Sequence, residues 1–282
     1  MQTGYQAKVI AHSKPDNGGP SLITVEATYP RCIHPEWMTH RSHSRNAGSS
    51  RAIPTGRMIS AIVQNPFVPD HWGKNQKGMQ AEEEFDETTA QSLRHEWILA
   101  RDEVLHRVDS LREFGVHKQI INRLLEPWSW ITVIDTANEY AWEHLFNLRC
   151  HPNAEPHMQK SAYLVRGAID ASTPNVLRRG QWHLPYLNLE LDADLPMQDA
   201  IKACVGRCAR VSYLTHDGTR DPQKDIELHD RLEQAQHWSP FEHVAFYDQE
   251  HALLHRKCGN LGVPWNQYRK TRRSEFNPSK NR

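Results

Sequence analysis

The chain has 282 residues, enough for one large domain or two smaller ones, and its 34 Lys and Arg are balanced by 34 Asp and Glu. That balance disfavours nonspecific attraction to a polyanion and, with it, a nucleic-acid coat or histone-like role. No stretch approaches the roughly 20 apolar residues of a bilayer span, and the opening MQTGYQAKVIAHSK lacks the apolar core of a secretory signal, so a cytoplasmic, membrane-free protein is expected.

The aromatic residues (9 Trp, 7 Phe and 8 Tyr) supply enough large apolar surface for a true core. LITVEATY (Leu22 to Tyr29) is rich in β-formers and predicts a strand. HPEWMTHR then predicts a helix with Pro35 in its first turn, where the missing amide costs nothing. RNAGSSRAIPTG, full of small and turn-forming residues, reads as a loop, and residues 65–80 as an irregular connection. From Thr88 to Arg112, Leu93, Trp97, Ala100, Val104, Val108 and Leu111 recur every three or four residues and predict one long amphipathic helix. A helix over 116–125 stops before Pro127, WSWITVID reads as a buried strand, and NEYAWEHLFNLR as a helix. Another helix is expected over 153–170, a Pro-containing connection over 171–200, and a helix in DIELHDRLEQAQ. The basic end QYRKTRRSEFNPSKNR reads as a frayed tail. The loose alternation of helices and strands predicts an α+β fold, with no internal repeat.

Five cysteines (Cys32, Cys150, Cys204, Cys208, Cys258) form an odd set without paired two-residue spacings, which favours free, structural thiols. Cys204 and Cys208, one helical turn apart, would suit a metal or a redox pair only with partners that the sequence does not place. His251 and His255 raise the same question, but no Glu follows His251 as in HExxH, so core or solvated histidines are the plainer reading.

Three segments carry polar residues of interest. The run Arg45 to Arg51 sets two guanidinium groups around small residues whose amides can be approached closely, which is either a phosphate cradle or a solvated turn. Glu36, His40 and Arg41 lie just upstream, at spacings that bring them near one helix face. In the helix from Asn138 to Arg149 the two ends are eleven residues apart, close to three turns, so Arg149 emerges from a stripe made by Ala141, Trp142 and Leu145 with His144 at its flank. A guanidinium so placed needs an acidic partner, a carbonyl cluster or an anionic ligand. HWSPFEH (His237 to His243) joins aromatics and imidazoles that can stack on a planar ring or simply pack as a turn.

Taken together, these segments resemble the flavin-dependent thymidylate synthases. THRSHSRNAGSSR (Thr39 to Arg51) is similar to that family's R-H-R-x-x-S-x-N-x-x-S-x-R signature at every fixed position except the first. Ser239-Pro-Phe-Glu-His243 resembles its S-P-x-E-H element. The stretch from Arg123-Leu-Leu-Glu-Pro through Thr136-Ala-Asn138 to Phe146-Asn-Leu-Arg149 looks like its third region. In common members S-P-x-E-H precedes the signature by a few tens of residues, whereas here it follows by nearly two hundred. The resemblance therefore implies a circularly permuted fold of this type in one domain. Residues 200–250 are the relocated segment, and 65–115 a connection with a long helical insertion. His243 should return in space to the helix containing His40 and Arg41.

The resemblance further implies a homotetramer with active sites between subunits that hold FAD, a pyrimidine deoxynucleotide such as dUMP, and a folate. His40, Arg41, Asn46, Asn138, His144 and His243 would contact FAD. Ser49 and Arg51, with Glu36 near the phosphate, would hold the nucleotide from one subunit, and Arg123 with Arg149 would reach it from another. Arg149, set against the pyrimidine, would draw negative charge off the ring and favour reaction at C5. Methylenetetrahydrofolate would supply the carbon, and NADPH would reduce the flavin, with no cysteine nucleophile. Thr39, Ala47, Tyr140 and Glu36 depart from the family's usual residues. The same residues would also serve a dCMP methylase or a nucleotide hydroxymethylase, and rivals of other classes are a silent nucleotide-binding protein and a metal-dependent hydrolase.

Overall fold

A computed structural model of the chain describes residues 4–213, 221–272 and 275. Its first half holds strands β1 (Gln6–Pro15) and β2 (Leu22–Pro30), helix α1 (His34–Trp37), β3 (Ser44–Ala47), helices α2 (Thr55–Gln64), α3 (Glu87–Glu113) and α4 (Lys118–Leu124), and β4 (Trp130–Asn138). Helices α5 (Glu139–Arg149) and α6 (Pro156–Asp170) follow, then β5 (Asn175–Leu177), β6 (Trp182–His183), α7 (Met197–Tyr213) and α8 (Pro222–Gln234). The last elements are β7 (Ala245–Tyr247), α9 (Gln249–His255), β8 (Trp265–Gln267) and α10 (Tyr268–Thr271). The main sheet has the order β3-β4-β2-β1-β5, antiparallel except for the β1–β5 pair, and β6-β7-β8 make a small antiparallel sheet. The architecture is mixed α+β, and no helix among the described residues is long and apolar enough to cross a membrane.

Because successive side chains of a strand point to opposite faces, the main sheet has two unlike sides. On one, Ile23, Val25, Ala27 and Tyr29 of β2 and Ile131, Val133 and Ala137 of β4 form a core with Trp37, Trp142, Leu145, Phe146, Met158, Ala162 and Val165 from α1, α5 and α6. The other side is polar. There Thr24 pairs with Thr136 (2.7 Å between hydroxyls) and Thr28 with Thr132 (2.9 Å), each directly across the strands. Helix α7 covers that side and packs Cys208 and Val211 on Ile134. A polar face tolerates this cover because its hydroxyls satisfy one another.

Local sequence accounts for most boundaries. Asp86 accepts from the Thr89 amide at 2.9 Å to start α3, and Asn138 accepts from the Ala141 amide at 2.9 Å to start α5. The long helix runs as its periodicity predicts, although Ala100 faces solvent. It packs with α2 and α4 in a core of its own that includes Ile53, Met58, Ile62, Val108, Ile121, Leu125 and Trp128. Indole N–H groups pin the irregular connection: Trp97 donates to the Phe67 carbonyl (2.9 Å) and Trp130 to that of Asn65 (3.2 Å).

Four expectations change. The helix expected over HPEWMTHR ends at Trp37, so His40 and Arg41 lie in the turn beyond it. Residues 44–47, expected in a loop, pair with β4 as an edge strand. The 171–200 connection contributes the short strands β5 and β6. The basic end is not frayed at its start, where Gln267 and Tyr268 are buried, while residues 276–282 lie outside the described residues.

Helices α7 and α8 approach closely at Gly206, where a β-carbon would collide with the backbone carbonyl of Asp225. Beside this contact, Arg207 binds Asp192 at 2.5 and 2.7 Å and Asp225 at 3.0 Å, while Arg210 holds the other oxygen of Asp225 at 2.5 Å. Gly206→Ala is expected to destabilise the fold by about 1–3 kcal/mol through overpacking. Urea unfolding of the variant against the parent measures it, and an unchanged midpoint would show that α8 can retreat at no cost.

Candidate functional site

Strand β4 supplies two consecutive buried polar residues that point to opposite faces. Asp135 faces α1 and α5. Its carboxylate accepts from the Trp37 indole N–H at 2.7 Å and from His43 Nδ1 at 2.9 Å, while His43 Nε2 lies 3.1 Å from the Ala141 carbonyl. Burial pushes the Asp135 carboxyl up, but His43, Arg45 and the Trp37 N–H outweigh burial and hold it below the usual carboxylate range. Thr136 faces the other way. Its hydroxyl lies 2.8 Å from Nδ1 of His243, a ring with no exposed surface whose Nε2 has no partner among the described residues. Burial lowers the His243 pKa to about 4.

Edge strand β3 lies against this part of β4, with Ser44 opposite Thr136 and Asn46 opposite Ile134. Ser44 and Asn46 therefore share the polar face with Thr136. Ser44 donates to Asn260 Oδ1 at 3.0 Å, and Gln267 Nε2 bonds Asn260 Oδ1 at 2.8 Å and the Glu242 carbonyl at 3.3 Å. These bonds tie the segment that carries Ser239–His243 to β3. Asn46 is buried, and its Nδ2 also lacks a partner among the described residues.

Arg149 gathers a second group. Its Nε donates to His40 Nε2 at 3.0 Å and its Nη2 to the Thr39 hydroxyl at 3.1 Å, with Glu36 Oε2 3.6 Å from Nη1. Of the three kinds of partner expected for a guanidinium on an apolar stripe, an acidic side chain is present, but only loosely. Two of the five guanidinium N–H groups are hydrogen-bonded among the described residues, which leaves three for Glu36 or a ligand. His40 accepts at Nε2, so its neutral ring carries the proton on Nδ1; burial and then Arg149 depress its pKa to about 4. His144 is exposed, with its ring 6.4 Å from that of His40. Burial, aided by Glu155, raises the Glu36 pKa, with Arg149 opposing.

A third group lies past the far end of β3. Asn122 Nδ2 donates to the carbonyls of Ser50 (2.8 Å) and Ile53 (2.9 Å), which clamps the Ser49–Arg51 turn on α4. Glu126 accepts from the Ser50 hydroxyl at 2.6 Å and from Arg123 at 3.2 Å, so Arg123 and the turn share one carboxylate. Arg31 donates to the Gly48 carbonyl at 3.0 Å. Arg51 is exposed and has no partner among the described residues, and the Ser49 side chain makes no hydrogen bond there. The four residues of β3, about 13 Å long, and Gly48 separate this turn from His43.

The sequence-predicted residues thus fall into three groups: His243 and Asn46 on the polar face, Arg149, His40, Glu36 and His144 beside α5, and Ser49, Arg51 and Arg123 near α4. Arg41 is exposed and unpaired among the described residues. Asn138 is occupied at both ends, capping α5 through Oδ1 and donating from Nδ2 to the Leu261 carbonyl at 2.8 Å. His243 makes no hydrogen bond, ion pair or ring contact with His40 or Arg41 among the described residues of this chain. Its partner is β4.

All five cysteines are free thiols. Cys204 and Cys208 are fully buried in different cores, and burial pushes the Cys204 thiol up to about 12 and that of Cys208 well above its ordinary value. His251 bonds Asn266 Oδ1 at 2.7 Å. The one group of metal-ligating side chains among the described residues, His229, Asp230 and Glu233, is already neutralised by Lys202 on Asp230 (2.9 Å) and Arg272 on Glu233 (2.7 and 2.9 Å).

Sequence reasoning missed Asp135, His43, Thr24 and His183. A single acid in the apolar run WSWITVID was a usable signal for Asp135, because a lone buried charge demands partners. Nothing in the sequence marks Thr24 or His183.

No protein-family model matches the chain, and no curated protein matches it. Two solved structures of the UMP/dUMP methylase PolB from Streptomyces cacaoi are similar to it in part. The structure bound with 5-Br dUMP is 14% identical, has a TM-score of 0.49, and aligns over 60% of this chain and 91% of its own. The one bound with 5-Br UMP is 16% identical at the same TM-score of 0.49, over 60% of this chain and 89% of its own.

Buried neutral histidines make stability depend on pH. His183 and His243 are fully buried, with pKa values lowered to about 3 and about 4. The unfolded chain takes up protons near pH 6.5 that the folded chain refuses, so the unfolding free energy should fall as pH drops from about 6.5 to about 4, by up to ~1.4 kcal/mol per pH unit per ring. Urea unfolding across that window should give a shallower fall for His183→Gln than for the parent; equal slopes would contradict the assignment.

Proposed function

We propose that the protein is a flavin-dependent enzyme that transfers a one-carbon unit to C5 of a pyrimidine deoxynucleotide, with dUMP the first candidate substrate, methylenetetrahydrofolate as carbon donor and NADPH as reductant. The observation that carries this reading is the bond between His243 Nδ1 and Thr136 Oγ1 at 2.8 Å beside the Ser44–Thr136 strand pair. It joins residues of all three segments that resemble the flavin-dependent thymidylate synthases, although the last lies nearly two hundred residues after the first. A circular permutation of that family's order accounts for such a meeting.

The residues suit a flavin on one structural ground. Asn46 Nδ2 and His243 Nε2 are buried polar atoms without partners among the described residues, on one side of a sheet edge, and such atoms are costly unless a ligand meets them. Asn46 and His243, with His40, Arg41 and His144, are the residues assigned to hold it, whereas Asn138 acts from behind as a helix cap. When bound, reduced FAD supplies the hydride that completes the methyl group. Ser49, Arg51 and Arg123 are assigned to the nucleotide phosphate. Arg149 is assigned to the pyrimidine. Held by His40 and Thr39, it offers its free N–H groups to the ring oxygens and stabilises negative charge as C5 becomes nucleophilic. A neutral His40 favours this, because it accepts from the guanidinium without taking its charge.

The chain is assigned to a homotetramer with sites completed between subunits. The separation of the Ser49–Arg51 turn from Arg149 along β3 favours that arrangement, because one nucleotide then draws its phosphate and base contacts from different copies.

Anaerobic incubation with FAD, NADPH, methylenetetrahydrofolate and either dUMP or dCMP, followed by mass analysis of the nucleotide, tests the reading. A gain of CH2 on dUMP is expected; a gain on dCMP alone, or of CH2O, would reassign base or product, and no gain on either base would reject the enzyme. Arg149→Gln should lower turnover by about 10²-fold or more while FAD binding persists. Replacing all five cysteines by Ala or Ser should leave turnover intact, and loss traced to one thiolate would exclude this chemistry.

A further inference from the structure

The polar face of the sheet holds a continuous hydrogen-bond chain of which the proposed function uses only the His243 end. It runs from Ser13 Oγ to His183 Nδ1 (2.8 Å), from His183 Nε2 to Thr24 Oγ1 (2.8 Å), on to Thr136 Oγ1 (2.7 Å), and from there to His243 Nδ1 (2.8 Å). All five residues are buried, at 4% exposure for Ser13 and 0% for the rest. The four links lie on strands β1, β2 and β4 and on β6, so the chain crosses the sheet from its β1 side to the segment that carries His243.

The hydrogens can be counted. With both imidazoles neutral, each ring brings one N–H and each hydroxyl one O–H, which makes five hydrogens for four bonds. One is always left over. If every bond points toward His243, Ser13 donates to His183 Nδ1, both rings are protonated on Nε2, and the spare hydrogen is the N–H at His243 Nε2. If every bond points away, both rings are protonated on Nδ1, His243 Nε2 is a bare acceptor, and the spare hydrogen is the Ser13 hydroxyl's. Mixed orders place two hydrogens, or none, between one pair of atoms and lose a bond inside a buried chain, which is costly where water cannot replace it. Burial keeps both rings neutral, and His243 feels only the more distant Asp135 as a favourable charge.

We propose that Ser13, His183, Thr24, Thr136 and His243 form one two-state relay in which the histidine tautomers switch together, so that His243 Nε2 meets its ligand either as a donor or as an acceptor. The proposal deepens the flavin reading and rests on it for the ligand: a ring nitrogen that accepts when oxidised and carries hydrogen when reduced needs a partner able to reverse its role. Passing from the first order to the second moves each hydrogen one place. One leaves Nε2 for the ligand and one is taken up from water at Ser13, so the count stays at five. Ser13, His183, Thr24 and Thr136 are positioning residues, since only His243 presents an atom to the site.

Histidine tautomers in the ligand-free, 15N-histidine-labelled protein test this directly, with His183→Asn and His243→Asn to assign the rings. The two rings should carry the same tautomer in the parent. Ser13→Ala removes both the donor and the acceptor at His183 Nδ1 and should still leave the two rings in the same tautomer as each other. Adding Thr24→Val strips His183 of both its partners in the chain and should uncouple the two rings, while Thr24→Ser in its place should keep them together. Rings of unlike tautomer in the parent or in Ser13→Ala, or a His243 population that is the same with Val and Ser at position 24, would overturn the relay. Circular dichroism of each variant confirms folding, and the Ser form supplies the comparison if Val does not fold. Equilibrium dialysis with FAD is read separately: failure of the parent to bind FAD rejects the flavin reading and leaves the tautomer result standing, while unlinked tautomers with FAD bound reject the relay alone.

Discussion

Two neighbouring polar residues on β4 cannot both face the same way, and the site follows from that constraint. Asp135 and Thr136 are each buried in the middle of a sheet, and each must find partners there because water cannot reach it. Strand alternation sends them to opposite faces, so each recruits a histidine from a different part of the chain. Asp135 takes His43 and, with it, the Trp37 indole, which fixes α1 and the turn that carries His40. Thr136 takes His243 and so anchors the segment that follows α8. Two adjacent residues of one strand thus orient His43 and His243, on either side of a single backbone.

The electrostatics on the two sides differ in kind. Beside α5, a charged guanidinium leaves an apolar stripe and is met by a neutral ring, a hydroxyl and a carboxylate at 3.6 Å. A close bidentate carboxylate would have cancelled the charge; the looser arrangement holds Arg149 in position and keeps its field available to an anion. On the polar face no charged side chain belongs to the chain of five groups, and the interactions are bonds between neutral donors and acceptors. That side is suited to reading where a hydrogen sits on a ligand, and the Arg149 side to stabilising negative charge.

The sequence made the local elements legible and left the nonlocal ones hidden. The long helix α3 and the helix from Glu139 to Arg149 could be read because a sustained apolar period and an Asn cap are properties of a few turns of chain. The edge strand at Ser44–Ala47 could not, because SRNA has weak strand propensity and becomes a strand only through pairing with β4, some ninety residues on. The need for a partner at Arg149 could be inferred from the cost of an unpaired charge on an apolar stripe, and Glu36 fills it. The role given to Asn138 could not be separated from helix capping, since the same residue type serves both. Thr24 and His183 were invisible because a hydroxyl relay has no spacing in the sequence: its members come from four strands and meet only once the sheet is built.

The separation of the three groups limits what one chain can do. Helices α2, α3 and α4 have their own core, and Glu126 and Asn122 fasten the Ser49–Arg51 turn to that unit. Arg149 belongs instead to the core beneath β2 and β4. Moving either group toward the other would break a buried core or strip Asn122 of its two carbonyl partners, each a cost of a few kcal/mol. A ligand that needs both the turn and Arg149 is therefore met more cheaply by two copies of the chain than by distortion of one. Intersubunit sites are, on the proposed function, the consequence of two rigid units that share a single strand.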